Sequence, residues 1–178
     1  MALPKQYLDL KKESAPRILI EALNLHGTLE TPGTKNNPKI MAWADEIGGA
    51  VEEDYTADSI AWCGLFVAIV CKRADKPIVA NPLWALSWSA WGNPKKYPEL
   101  GDVLVFTRDG GGHVGFYVGE DDTAYHVLGG NQDDSVCIKR IEKKRLYGAR
   151  TPVWKIAKPD NVRRIFRSAT GKLSTNEA

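Results

Sequence analysis

The sequence predicts an α+β fold in which N-terminal helices pack on a C-terminal antiparallel sheet. Up to Leu100 the apolar residues recur at helical spacing. From Asp102 onward they alternate at a period of two, in short runs separated by turns of hairpin chemistry. With 178 residues, 43% of them hydrophobic and 26% charged, the chain is long enough to bury one proper core and ordinary enough to be a single globular domain.

Residues 15–26 read as the first helix. Ser14 is its N-cap, Pro16 sits in the first turn, and Ile18, Leu19, Ala22, Leu23 and Leu25 form an apolar face that Gly27 ends. Residues 28–37 are loop by composition. Asn37-Pro38 caps and opens a second helix that runs through Ile47 to Gly48-Gly49. An acidic loop, Glu52-Glu53-Asp54, leads into Asp58–Val70, an apolar helix that opens at or near Cys63 with Asp58 or Ser59 as cap. A further short helix, Leu83–Trp91, follows Asn81-Pro82. Its Trp84, Trp88 and Trp91 share a face, which is either core or an aromatic wall for stacking on sugar or peptide; core is favoured.

The strands are then Asp102–Thr107, His113–Gly119, Thr123–Gly129 and Ser135–Ile141, with Val153–Ile156 as a fifth. Residues 1–157 make the domain. Residues 158–178 are polar and basic, and read as an appended tail with a frayed helix and a solvated end.

Composition argues against several functions without excluding them. A formal charge of +2 with no concentrated basic face gives no support for nucleic-acid binding. The three cysteines, Cys63, Cys71 and Cys137, lack C-x-x-C spacing, so neither a disulfide framework nor a zinc site is expected, and a reducing compartment is. The N-terminal stretch has no signal-peptide core, and no apolar run approaches the ~20 residues of a membrane span.

The chemistry centres on Cys63. A helix N-terminus presents unpaired N–H groups and partial positive charge, which favour a thiolate and so a nucleophile. A free cysteine on an apolar helix is also ordinary core. His113 follows Gly110-Gly111-Gly112 and opens an apolar strand, a fitting place for a general base. His126, within the next strand, is its rival, while His26 reads as a helix-end cap. Asn131, after Gly129-Gly130, would hold the second nitrogen of His113; Gln132 should then point to the opposite face. Both are equally ordinary turn residues.

Four stretches together, Trp62-Cys63-x-x-Phe66, Leu100-Gly101-Asp102-Val103, Gly112-His113-Val114-Gly115-Phe116 and Leu128-Gly129-Gly130-Asn131-Gln132, resemble the CHAP and NlpC/P60 peptidoglycan hydrolases, in particular their phage-associated members. The resemblance covers roughly residues 15 to 155. It implies a papain-like fold with Cys63 as nucleophile, His113 as base and Asn131 as third polar residue. Many CHAP members carry a glutamate where this chain has Gly129 and Gly130, so an amide must orient the histidine. The implied activity is cleavage of an amide bond in bacterial peptidoglycan, as endopeptidase or amidase, by a monomer that needs no metal or organic cofactor. Trp62, Trp88, Gly112 and Gln132 are the expected substrate contacts. The implied setting is a phage endolysin made in the host cytoplasm and acting on the wall, or a virion-borne enzyme. A secretion-system effector, an enzyme acting on protein, and a non-catalytic wall-binding or virion structural domain are the alternatives.

Overall fold

The computed structural model describes residues 2–175 and Glu177. It is an α+β structure: four α-helices precede the main strands of a seven-stranded sheet. The helices are α1 (Arg17–Asn24), α2 (Pro38–Ile47), α3 (Ala50–Asp54) and α4 (Cys63–Arg73). Helix α1 is shorter than its apolar pattern, and Pro16, not Ser14, occupies its N-cap. Helix α2 begins and ends where its signals lie. The Asn37 side chain accepts the Lys39 N–H at 2.8 Å, Pro38 opens the helix, and Gly48 at φ +78° ends it.

Helix α4 is the structural centre. Cys63 through Cys71 are all buried, and the polar end at Lys72 and Arg73 coincides with the helix C-terminus, where cations suit the dipole. It packs between α1 and α2 on one side and the sheet on the other. Gly64 allows the Pro82–Leu83 backbone to lie against its first turn, since a Cβ there would sit 2.2 Å from the Pro82 carbonyl oxygen.

Strands β1 (Asn93–Pro94), β2 (Val103–Arg108), β3 (Gly111–Glu120), β4 (Ala124–Gly129), β5 (Cys137–Glu142), β6 (Leu146–Thr151) and β7 (Leu173–Ser174) assemble in the order β1-β6-β2-β3-β4-β5-β7. All neighbours are antiparallel except β5 and β7. The fifth long strand is thus Leu146–Thr151; Val153–Ile156, expected in that role, lies outside the sheet. Strands β5 and β6 are joined by only a short turn, Lys143–Arg145. Such a link spans at most about 13 Å, whereas the strands would stand about 19 Å apart in a flat sheet of that order. The sheet must therefore curl. Its inner face packs Leu104, Phe106, Tyr117, Tyr125, Val127, Ile141 and Ala149 together, while Val103, Val105, Val114, Phe116 and Leu128 on its outer face join the core around α4.

Two segments near the chain ends pack onto the domain, and the second is more ordered than its composition predicts. Lys5–Lys12 forms a 3₁₀ helix that buries Tyr7 and Leu10. Residues 158–175 form neither a helix nor a loose tail. Backbone hydrogen bonds tie Glu120 to Ile165 and Arg167, Arg164 pairs with Glu120, Arg167 pairs with Asp9, and Leu173–Ser174 becomes the sheet edge. Arg163, Arg164 and Arg167, which suggested solvation, instead meet Glu13, Glu120 and Asp9 from distant parts of the chain. Among the described residues no helix is long and apolar enough to cross a membrane.

Candidate active site

Cys63 is the first residue of α4, and only 4% of it is exposed. Trp62 precedes it at the N-cap without a side-chain cap. Asp58 caps no helix here: its buried carboxylate accepts the N–H groups of Thr31 and Asn37 at 3.0 and 2.7 Å, pinning the loop before α2 to the approach of α4. The sulfur faces the Val114 N–H, the peptide that follows His113, and feels the positive charge of Arg108. Burial nevertheless pushes the Cys63 thiol above its ordinary range, against both of those influences. Desolvation outweighs the helix-terminus effect, which favours thiolate. Among the described residues no hydrogen bond joins the sulfur to the His113 ring; catalytic hydrogen bonds commonly tighten only on substrate binding.

His113 is 1% exposed, and its Nε2 lies 3.0 Å from Gln132 Oε1. The Gln132 amide nitrogen donates to the carbonyls of Val127 and Cys137 at 3.2 and 2.6 Å. That fixes which way the amide points, so Oε1 must accept and His113 Nε2 must carry the proton. The neutral ring then keeps its lone pair on Nδ1.

The third polar residue in contact with the histidine is therefore Gln132, not Asn131. Asn131 has φ +54°, as do Asp134 and, at +49°, Asp133. This left-handed turn, which Asn and Asp tolerate, breaks strand alternation and brings Gln132 back to His113. The two glycines before it serve different neighbours. A Cβ on Gly129 would sit 3.0 Å from His113 Nε2 and 2.9 Å from Gln132 Oε1; one on Gly130 would sit 2.6 Å from Phe66 Cβ and 2.8 Å from the Trp62 ring.

His126 cannot serve as the base in this state, because both its nitrogens are engaged. Asp121, held ionised chiefly by Arg140 against the opposing effect of burial, accepts from Nε2 at 3.0 Å, and Nδ1 accepts from the Tyr7 hydroxyl at 2.7 Å. The network fastens the N-terminal 3₁₀ segment to the sheet.

The expected substrate contacts are buried. Trp62 is fully enclosed, its indole N–H donating to Glu30 at 3.0 Å and its ring lying against Trp43. Trp88 is likewise enclosed and donates to the Pro82 carbonyl. Gly112 packs against Leu86, and Gln132 is wholly buried. Of the tryptophans on the Leu83–Trp91 segment, Trp84 is the exposed one, at 50%; the segment is a 3₁₀ turn over Ala85–Ala90, so helical spacing does not place all three rings on one face.

Three charged residues near the site have no signal in the sequence pattern. Arg108, at the end of β2, donates from Nε to the Gly112 carbonyl. Arg145, in the turn between β5 and β6, donates from Nε to the Thr107 carbonyl. Glu177 reaches the same place from the far end of the described chain. Among the described residues no group of three or more His, Cys, Asp or Glu is arranged to hold a metal ion.

Burial pushes His113 down to about 4, with the charge of Glu177 and the Gln132 hydrogen bond opposing. Its folded value thus lies below its unfolded value of 6.5. The associated stability is present above pH 6.5 and is lost as pH falls through about 4. A shift of that size corresponds to about 3 kcal/mol. Denaturant unfolding at pH 7 and pH 4 should show wild type losing more stability than His113→Gln, which cannot titrate there. Equal losses would mean that His113 does not titrate in that window.

No protein-family model matches the chain, and no curated protein matches it significantly.

Proposed function

We propose that this chain is a papain-like cysteine hydrolase of the CHAP and NlpC/P60 kind, cleaving an amide bond of bacterial peptidoglycan. The observation that carries the reading is His113 held as the Nε2–H tautomer by Gln132, beside a helix-opening cysteine whose sulfur lies against the next peptide. In the mechanism, Nδ1 of His113 takes the Cys63 proton as the site binds substrate. The thiolate attacks the amide carbonyl, and the Cys63 backbone N–H at the helix terminus stabilises the oxyanion. The protonated ring then delivers its proton to the leaving amine. Water releases the thioester. Support for peptidoglycan as the substrate comes from the four sequence stretches described above, and with them the reading of a phage endolysin acting on the wall.

The test is digestion of purified peptidoglycan by the wild-type protein, with products identified by mass spectrometry. New amino termini on released muropeptides are expected, and their position names the bond. Intact peptidoglycan after prolonged incubation would overturn the wall as substrate.

A further inference from the structure

Leu173–Ser174 forms the sheet edge as β7, and Glu177, close behind it in the chain, lies within electrostatic reach of His113. There the Glu177 carboxylate has no exposed surface at all. Arg145 grips it in a fork, Nη1 to Oε1 at 2.8 Å and Nη2 to Oε2 at 2.7 Å. The guanidinium is itself aimed by its surroundings, with Nε donating to the Thr107 carbonyl at 3.1 Å and Nη1 also to the Ser174 carbonyl at 3.2 Å. Beside this pair is a cavity of about 440 Å³ lined by Thr107, Arg108, Asp109, Arg145 and Thr175. Thr107 pairs with Gly112 across β2 and β3, and Phe106 pairs with His113, so the fork stands within one or two residues of the histidine's own ladder.

Two features set this pair apart from an ordinary terminal anchor. Exposed anchors lie on the surface and contribute little, whereas this carboxylate is wholly desolvated and would be costly there without its bidentate partner. It also lies where its charge acts on His113, which is 1% exposed, and Cys63 is 4% exposed.

We propose that Arg145, backed by Arg108, is a subsite for a carboxylate on the substrate, and that Glu177 is its resident intramolecular occupant. The strap and an acidic substrate then compete for one guanidinium. This rests on the reading of Cys63 and His113 as the reacting pair, and it narrows the substrate class to peptides with a free carboxylate close to the cleaved amide. Strap release opens the site as the carboxylate of the substrate takes its place.

Alkylation of Cys63 tests this without any wall fragment. Iodoacetate and iodoacetamide form the same sulfur–carbon bond, expelling iodide as the thiol proton leaves, and differ in that only the first carries a carboxylate. Peptide mapping by mass spectrometry separates Cys63 from Cys71 and Cys137. Wild type should react slowly with both reagents. Glu177→Gln, and a chain lacking residues 173–178, should react about tenfold faster or more with iodoacetate, and gain less with iodoacetamide. Adding Arg145→Gln to Glu177→Gln should abolish the preference for iodoacetate. Wild-type rates in both opened forms would overturn the proposal. So would equal gains with the two reagents, which would leave a strap without a carboxylate subsite. Because neither reagent is derived from peptidoglycan, an inert result on the wall and a failed subsite are read separately.

Discussion

Exchanging Cys63 for alanine is expected to lower peptidoglycan cleavage at least about a thousandfold, to the rate seen without protein. The expectation follows from the placement of the residue. Its sulfur sits against the Val114 N–H at the start of a helix whose first nine residues are buried, and no other described cysteine shares that setting: Cys71 is buried two turns along α4 and Cys137 lies on β5. The exchange removes one atom from a tight site and is expected to cost about 1 kcal/mol through the small void it leaves. Cys63→Ser separates packing from chemistry, since a hydroxyl keeps most of the side-chain volume but is a far weaker nucleophile here. Both variants should be inactive, with the serine form melting close to wild type. Substantial cleavage by either would remove Cys63 from the mechanism and favour a binding role for the domain.

The second large effect falls on Gln132. Gln132→Ala should lower the cleavage rate by about a hundredfold or more, because the ring of His113 loses the acceptor that fixes its tautomer and orientation. It should also destabilise the fold by roughly 2 kcal/mol, since the Val127 and Cys137 carbonyls lose their donor. Asn131→Gly is the matched comparison. Glycine accommodates the φ of +54° found there, so the backbone turn persists while the side chain is gone. Its activity should stay within a few-fold of wild type. If Asn131→Gly were as damaging as Gln132→Ala, the asparagine amide would be the orienting group during turnover, and the buried Gln132 contact a feature of the closed state alone.

The pair differs from the sequence expectation for a definable reason. Strand alternation assigns neighbouring residues to opposite faces, and that rule holds through Gly129, which pairs with Cys137. Beyond it, three left-handed residues, Asn131, Asp133 and Asp134, turn the chain back on itself, and period-two reasoning fails. Gly-Gly-Asn was readable as turn chemistry. Which side chain emerges from the turn toward the histidine was not.

Local patterns determined a good deal by themselves. The helical first half and the period-two second half specify an α+β chain, and Asn37-Pro38 and Gly48 specify the bounds of α2, because capping and turn preferences act over a few residues. The start of α4 at Cys63 and the strand carrying His113 were legible for the same reason: each is a change of apolar period beside a loop. Tertiary structure alone decided the rest. Burial sets the protonation of Cys63 and His113 and overrides the helix-terminus effect, and burial is a property of everything packed around a group. The curl of the sheet follows from joining β5 to β6 through a three-residue turn. The meeting of Arg145 with Glu177 depends on two residues 32 positions apart being brought to one point, and no local spacing encodes such an encounter.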